Sequence, residues 1–318
     1  TPLAAYRNAN ANFKFAKGLT HSRDIFKKGF KKAIEIAKKS DVILFFGGEE
    51  AILSGEAHSR ANIDLPGAQE ELIQELAKTG KPIVLVIMAG RPITITNIIE
   101  KTDAVLMAWH PGTMGGEALY EVLHGIKSPE GRLPVSWPKI AGQLPFFYNH
   151  KNTGRPADST SFIPMEKIPI AAWQSSLGND SHYLDAGFTP HFPFGYGLSY
   201  TSFNYSDMSI SKNAIHFNED LEVKVSIKNT GEKDGKELVQ LYVQDIVGSI
   251  TRPVKELKRF KHVFLKSGET REISFKISSK DLEFVNHKII KAAEEGAFNV
   301  WVGPNAAQGL KTSFILQK

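Results

Sequence analysis

The chain has 318 residues, of which 42% are hydrophobic and 23% charged, and 39 Lys and Arg against 34 Asp and Glu give a formal net charge of +5. This composition is typical of a folded globular protein and argues against a disordered one. Because the chain contains no cysteine, a disulfide framework, a thiolate nucleophile and a cysteine-based metal site are excluded. Paired lysines at 27–28, 31–32 and 38–39 fall on the polar face of a predicted helix, so we expect a solvated face and no nucleic-acid partner.

The sequence contains no segment that predicts membrane insertion. Its longest apolar run, Ile83 to Ala89, is far too short to span a bilayer, so no membrane partner is expected. Residues 1–18 lack an initiator Met and lack the basic segment and apolar core of a signal peptide. They resemble the interior of a domain, and we therefore expect the chain to be a piece of a longer protein.

The first part of the chain alternates predicted helices and strands. Apolar residues at helical spacing predict four helices, over 27–39, 66–80, 94–100 and 115–124. Continuous apolar runs predict three buried strands, over 41–46, 82–88 and 104–109. This alternation predicts an α/β sandwich, that is, a mainly parallel sheet with helices on both faces.

The pattern changes after about residue 140. Residues 143–204 are rich in Pro, Gly, Asn, Ser and aromatic residues, and such a long irregular connector must be held down by its aromatics. From residue 205 onward, apolar and charged residues alternate and turn residues separate the runs. This predicts an all-β sandwich of the immunoglobulin or fibronectin III type. The predicted domains are therefore 1–200, including most of the connector, and 205–318.

One long loop stands out as a place for chemistry. No phosphate-binding loop, dinucleotide-binding glycine pattern or HExxH motif occurs, and the histidines are scattered singly, so no cofactor and no metal are expected. The loop at 47–66 is far longer than the usual strand-to-helix connection of about 2–6 residues, and long loops are usually functional or disordered. It contains three glutamates and two basic side chains, namely Glu49, Glu50, Glu56, His58 and Arg60.

These loop carboxylates permit two interpretations. A glycosidase needs two carboxylates flanking the scissile bond, and its general acid needs a raised pKa, which partial burial supplies. Glu56 suits that role because the small residues Ser54 and Gly55 let its backbone approach a ligand, and ligands gather at the carboxyl ends of strands in α/β sheets. The alternative, which composition alone favours, is that all three glutamates are simply solvated.

Longer motifs make the sequence resemble a known family. The segment DVILFFGGEE…SGEAHSRANIDLPGAQEELI is similar to the second domain of family 3 glycoside hydrolases, especially bacterial β-glucosidases of the periplasmic type. The similarity continues through KPIVLVIMAGRP, DAVLMAWHPGTMGGEAL, GRLPVSWPKIAGQLPFFYNHKNTGRP and HFPFGYGLSYTSF. It extends to GAFNVWVG, near the end of a fibronectin-III-like domain. Because these motifs are long, ordered and spread over almost the whole chain, the resemblance is specific.

The resemblance implies a retaining, exo-acting β-glucosidase that hydrolyses terminal β-D-glucosyl residues of a β-glucoside or oligosaccharide. In that family the acid/base glutamate lies on a mobile loop of the second domain, and the glutamate of the SGEA motif is Glu56. His58 and Arg60 beside it, and His150 and Arg155 in the YNHKNTGRP segment, are weaker candidates for substrate contacts.

One departure from the family pattern changes what is expected of this chain. The family's nucleophile is an aspartate of an SDW-like motif in an N-terminal (β/α)8 barrel, and the Ser-Asp pairs at 40–41 and 206–207 do not fit that motif. The resemblance thus implies that the barrel and the first part of the α/β domain are absent, and that this chain is inactive without a barrel domain or chain as partner. Glu49 and Glu50 match no catalytic position, and Arg91 is expected to belong to a turn.

The rival hypothesis is a non-catalytic scaffold or carbohydrate-binding piece, inactive alone, whose loop glutamates are solvated. The resemblance also implies a periplasmic or secreted protein, and it leaves open a homodimer and the choice between glucosides and xylosides. Segment 158–181 is longer than the family pattern requires. Its aromatics Phe162 and Trp173 are expected to pack the segment down, although covering a cleft edge or contacting another subunit are alternatives.

Overall fold

The computed structural model describes all 318 residues, which form two compact units. One unit comprises residues 1–127 and 138–144 and is called here the α/β unit. The other comprises residues 128–137 and 145–318 and is called the β-sandwich unit. The irregular connector, which the sequence divides between two domains near residue 200, therefore shares a unit with the β-sandwich.

The α/β unit is built on a three-stranded parallel sheet. Its helices are α1 (Pro2–Asn8), α2 (Phe30–Ala37), α3 (Gln69–Ala77) and α4 (Gly115–Leu123). Its strands are β1 (Ile43–Gly48), β2 (Ile83–Met88) and β3 (Ala104–Met107), with β2 in the centre. Helix α1 packs against α4, and α2 packs against α3. This arrangement confirms the predicted α/β architecture. None of these helices has the length and apolar character that a membrane crossing requires.

The predicted helix over 94–100 is wrong. Thr94 instead forms a parallel bridge with Asp64, and its N–H donates to the Ile63 carbonyl at 3.0 Å. Only a short 3-10 turn, Ile99–Lys101, follows. The stretch is rich in Thr and Ile, whose branching at Cβ favours extended backbone. The bridge holds the C-terminal part of the long loop against the chain that follows β2.

The β-sandwich unit contains ten strands. They are β4 (Phe203–Ile210), β5 (Ala214–His216), β6 (Asp220–Asn229), β7 (Gly235–Asp245), β8 (Glu256–Leu265), β9 (Thr270–Ser278), β10 (Phe284–Val285), β11 (Lys291–Ala292), β12 (Gly296–Gly303) and β13 (Leu310–Gln317). A five-stranded sheet in the order β5-β13-β12-β7-β8 and a three-stranded sheet in the order β4-β6-β9 supply the core. The alternating apolar residues predicted to face the core are buried, which confirms the predicted sandwich.

Aromatic residues hold the connector within this unit. Trp137 is 2% exposed, and its N–H donates to the Phe192 carbonyl at 2.8 Å. Tyr148 stacks on Phe194 with ring centroids 4.2 Å apart, and its hydroxyl accepts a hydrogen bond from the N–H of Leu257 in β8 at 3.2 Å. The irregular segment is therefore fastened by its rings, as its composition indicates.

The segment at 158–181 fits its expected packing only in part. Phe162 contacts His182 and Phe188 edge to face, with ring centroids 5.2 and 5.9 Å apart. Trp173, by contrast, is 83% exposed. The packing role predicted for these aromatics is therefore correct for Phe162 and wrong for Trp173.

A buried ion pair fastens residues 128–137 to the sandwich. Arg132 donates to Glu237 in β7 at 2.7 Å, and the two side chains are only 4% and 3% exposed. The Tyr205 hydroxyl donates to the other oxygen of the same carboxylate at 2.8 Å. Burial raises the pKa of Tyr205 above its ordinary value, so this hydroxyl remains a donor.

We expect Glu237→Ala to destabilise the β-sandwich unit by about 3–5 kcal/mol, because it leaves the buried Arg132 guanidinium without its counter-charge. The matched control is Glu232→Ala, which removes an exposed carboxylate from the preceding turn and should change stability by less than about 0.5 kcal/mol. Urea denaturation followed by tryptophan fluorescence measures the difference, because Trp137 and Trp301 belong to this unit. Equal midpoints for the two variants would show that the buried pair contributes little.

Candidate active site

The long loop leaves the carboxyl end of β1 and is closed at its base by Gln69, the first residue of α3. The Gly48 N–H donates to Oε1 of Gln69 and the Gln69 side-chain amide donates back to the Gly48 carbonyl, both at 2.8 Å. Gly48 has φ +125°, and a Cβ there would lie 2.0 Å from the Met88 carbonyl oxygen, so only glycine fits. The loop therefore begins and ends at one fixed point beside the end of β2.

Glu56 lies in a tight turn near the middle of this loop. The His58 N–H donates to the Gly55 carbonyl at 3.2 Å, and the residues on either side of Glu56 have positive φ, +134° at Gly55 and +61° at Ala57. A left-handed alanine costs roughly 1–2 kcal/mol, and strained backbone of this kind concentrates at functional sites. The Glu56 side chain is exposed and makes no hydrogen bond or ion pair.

Glu49 lies in a different environment, at the start of the loop. Its N–H donates to the Met88 carbonyl at 2.9 Å, continuing the pairing of β1 with β2, and its side chain is 0% exposed. Its two carboxylate oxygens accept hydrogen bonds from Nη1 of Arg60 at 2.6 Å and from Nε of Arg91 at 3.1 Å. The interpretation of all three glutamates as solvated is therefore wrong for Glu49.

The two arginines that pair with Glu49 also bind loop carbonyls. Arg60 donates through Nη2 to the Asp64 carbonyl at 2.9 Å. Arg91 donates through Nη2 to the carbonyls of Leu53 and His58, the latter at 3.1 Å. Arg60, a candidate for substrate contact, is thus occupied by contacts within the loop, and Arg91 does more than form part of a turn.

The third loop glutamate, Glu50, pairs with Arg23. Nε of Arg23 donates to Oε2 of Glu50 at 2.6 Å, and this hydrogen bond lowers the pKa of the carboxyl below its ordinary value. Glu50 therefore stays ionised, and its charge is already matched. Of the three loop glutamates, only Glu56 has a carboxylate that is free to meet a ligand.

The other predicted site residues lie in different places. His58 is exposed two residues after Glu56. His150 and Arg155 are exposed residues of the β-sandwich unit, whereas Glu56 belongs to the α/β unit. Their main-chain carbonyls accept hydrogen bonds at 2.9 and 2.8 Å, which hold the segment that contains them in place. The donors are the N–H groups of Val254 and Ser181.

The α/β unit has two cavities, and Glu56 lines neither of them. The cavity at the carboxyl ends of β1 and β2 has a volume of about 220 Å³, and its lining includes Lys17, His21, Phe46, Glu49 and Glu50. Ligand pockets usually have about 300–1,000 Å³. A larger groove of about 680 Å³ lies between α2 and α3, and no residue of the long loop lines it. No group of three acidic or histidine side chains is placed to hold a metal ion.

Comparisons with known proteins match both parts of the chain. A family model described as the glycosyl hydrolase family 3 C-terminal domain matches residues 1–200, and a fibronectin type III-like domain matches residues 237–306. A periplasmic beta-glucosidase of Salmonella typhimurium is 37% identical over 317 residues, which covers 96% of this chain and 40% of that protein. A putative beta-xylosidase of Formosa agariphila is 37% identical over 293 residues, covering 90% of this chain and 36% of that protein.

Solved structures give the same result for the fold. The beta-glucosidase of Listeria innocua in complex with isofagomine aligns with a TM-score of 0.85 and 35% identity, covering 93% of this chain and 40% of that one. The Bifidobacterium adolescentis GH3 beta-glucosidase aligns with a TM-score of 0.81 and 27% identity, covering 99% and 45%. The chain thus spans less than half the length of these similar proteins.

Gly90, which follows β2, lies close to Ser54 of the long loop. A Cβ at Gly90 would lie 2.3 Å from Oγ and 3.2 Å from Cβ of Ser54, so Gly90→Ala should push the loop away from the end of β2. We expect the hydrogen-bonded amides of Leu53, Ser54 and His58 to exchange with deuterium about tenfold faster than in the wild type. The control is Gly142→Ala in the same unit, where a Cβ meets nothing within 4 Å. Identical loop exchange in both variants would contradict a tight contact at Gly90.

Proposed function

Because the chain belongs to glycoside hydrolase family 3, we propose that it supplies the general acid/base, Glu56, of a retaining, exo-acting β-glucosidase. The substrate class is a β-glucoside or oligosaccharide with a terminal β-D-glucosyl residue. The observation that carries the proposal is that Glu56 alone among the loop glutamates has no partner, and that it lies between two residues of left-handed backbone. The beta-glucosidase names of similar proteins support the substrate, and the beta-xylosidase name makes xylosides the second candidate.

In the proposed mechanism Glu56 acts in both halves of a double displacement. In the first step a nucleophilic carboxylate attacks the anomeric carbon while Glu56 protonates the glycosidic oxygen, and the aglycone leaves. In the second step the Glu56 carboxylate takes a proton from water, which attacks the covalent glycosyl-enzyme and releases the sugar with retained configuration. The two carboxylates must then lie about 5–5.5 Å apart across the bond.

The nucleophile in this mechanism comes from a partner domain or chain, proposed to be a (β/α)8 barrel. The α/β unit pairs both other loop glutamates with arginines, and its cavity beside them is only about 220 Å³. A general acid also needs partial exclusion of water, which the exposed turn must receive from that partner and from the bound sugar. We further propose a periplasmic or secreted location, in keeping with the name of the Salmonella typhimurium relative.

The first test of this function concerns Glu56 in the enzyme that contains this chain and its nucleophile. Glu56→Ala should lower kcat/KM for phenyl β-glucoside by about 100-fold or more, since proton donation typically contributes a factor of about 10²–10⁴. For 2,4-dinitrophenyl β-glucoside, whose leaving group needs no proton, kcat/KM should change little. Added azide should raise kcat for the dinitrophenyl substrate and yield β-glucosyl azide, because azide attacks without a base.

The matched control is Glu50→Ala, which removes a carboxylate of the same loop that is paired with Arg23 at the surface. Glu49 does not serve as a control, because its buried carboxylate holds the loop together. Azide rescue in the Glu50 variant, with Glu56→Ala behaving like the wild type, would mean that the acid/base is a different carboxylate. Absence of any effect at either position would favour the non-catalytic scaffold.

A second expectation is that chain 1–318 alone does not hydrolyse an aryl β-glucoside. A single unpaired loop carboxylate offers neither a covalent intermediate nor a way to position the sugar. The measurement is release of nitrophenol by the purified chain, with the Glu56→Ala chain prepared in parallel to reveal contaminating glucosidase. Turnover that the substitution abolishes would show that a second catalytic carboxylate lies within this chain.

A further inference from the structure

We propose that Arg91 is the positioning residue for Glu56, and that it fixes the turn bearing this carboxylate to the end of β2. The inference rests on the proposed catalytic role of Glu56. Arg91 follows β2 by three residues, and its guanidinium reaches across to the long loop that leaves β1.

The contacts of Arg91 lie on both sides of the turn. Its Nη2 donates to the carbonyl of Leu53, three residues before Glu56, and to the carbonyl of His58, two residues after it at 3.1 Å. Nη2 of Arg91 therefore binds the backbone on both sides of the segment that contains Gly55, Glu56 and Ala57. Because that segment has only one internal backbone hydrogen bond, from His58 to Gly55, this external tie determines where the turn lies.

The other side of the guanidinium is held by a buried charge. Its Nε donates to Glu49 at 3.1 Å, and the Glu49 side chain is fully buried. Arg60 occupies the second carboxylate oxygen, so Glu49 lies between two cations. Withdrawing Arg91 would leave part of a buried carboxylate unpaired, which is strongly unfavourable. The position of Arg91 is therefore set by the sheet, and the position of the turn is set by Arg91.

This role requires the shape of arginine as well as its charge. A guanidinium presents donors in a rigid planar fork, so it can pair with Glu49 through Nε while Nη2 faces two carbonyls. A lysine at 91 keeps the charge beside Glu49, but its single ammonium on a flexible stem cannot reproduce that fork. Arg91→Lys should therefore preserve the fold of the unit and release the turn.

The first measurement is hydrogen–deuterium exchange on chain 1–318. In Arg91→Lys the hydrogen-bonded amides of this segment, those of Leu53, Ser54 and His58, should exchange about tenfold faster than in the wild type, while those of β1 and β2 should not change. The matched control is Arg23→Lys, the same substitution at an exposed arginine that pairs with Glu50 in the same loop. Wild-type exchange of residues 53–58 in Arg91→Lys would overturn the proposal, and so would faster exchange throughout β1 and β2, which would mark Arg91 as a general stabiliser of the sheet.

The second measurement is the leaving-group dependence of kcat/KM in the enzyme that contains this chain. A misplacement of the acid by about 1 Å can cost about 100-fold in rate. Arg91→Lys should therefore lower kcat/KM for phenyl β-glucoside by about that factor and leave kcat/KM for 2,4-dinitrophenyl β-glucoside nearly unchanged. A uniform loss on both substrates would contradict a positioning role, because it would report damage to the whole site.

The two measurements separate failure of this inference from failure of the proposed function. If Arg91→Lys releases the turn while the phenyl substrate is hydrolysed at the wild-type rate, Arg91 does not position the acid, whereas an unchanged rate in Glu56→Ala would refute the catalytic role of Glu56. If Glu56→Ala shows azide rescue while Arg91→Lys changes neither exchange nor kinetics, Glu56 is the acid and Arg91 does not position it. If Arg91→Lys does not fold, hydrogen–deuterium exchange of the wild-type chain tests the proposal instead. A turn that Arg91 does not hold in place would show no protection of the His58 amide.

Discussion

The candidate site depends on the ion pairs that the buried carboxylate of Glu49 forms with two arginines. A charge without solvent contact must be paired, and here Arg60 from the loop and Arg91 from the chain after β2 both bind it. Each arginine then uses its remaining donors on backbone carbonyls of the same loop. The need to pair the buried charge of Glu49 thereby fixes the backbone of the loop at 47–66, about twenty residues that have almost no regular secondary structure.

This arrangement combines a rigid base with an exposed tip. Gln69 closes the loop at its base, and the bridge between Asp64 and Thr94 holds its C-terminal part. Glu56 remains at the surface between two positive-φ residues, with its carboxylate free. An acid that has to approach a substrate bound elsewhere benefits from this combination, because the backbone strain is supported by contacts that do not involve the acid itself. Glu56 lines neither of the two cavities of the α/β unit, which is consistent with a site that needs a second surface.

Periodicity in the sequence was sufficient to predict the architecture but not the network that supports the site. The apolar runs of β2 and the alternation in β6, β7, β9 and β12 report burial directly, and those strands form as predicted. The helix predicted over 94–100 failed because a contact between Thr94 and Asp64, thirty positions apart in sequence, decides that conformation. The solvated environment predicted for Glu49 is wrong for the same reason, since its partner Arg91 lies forty-two positions away and composition cannot reveal that pairing. The AGRP motif after β2 was the one available signal for Arg91.

The catalytic role of Glu56 is tested most directly by a crystal structure of the enzyme that contains this chain with an uncleaved β-glucoside analogue bound. In that complex we expect one carboxylate oxygen of Glu56 within about 3 Å of the glycosidic oxygen. We also expect a second carboxylate, from outside this chain, about 5–5.5 Å from Glu56 on the opposite side of the scissile bond. A glycosidic oxygen contacted by a different carboxylate, with Glu56 facing bulk solvent, would show that Glu56 is not the acid/base.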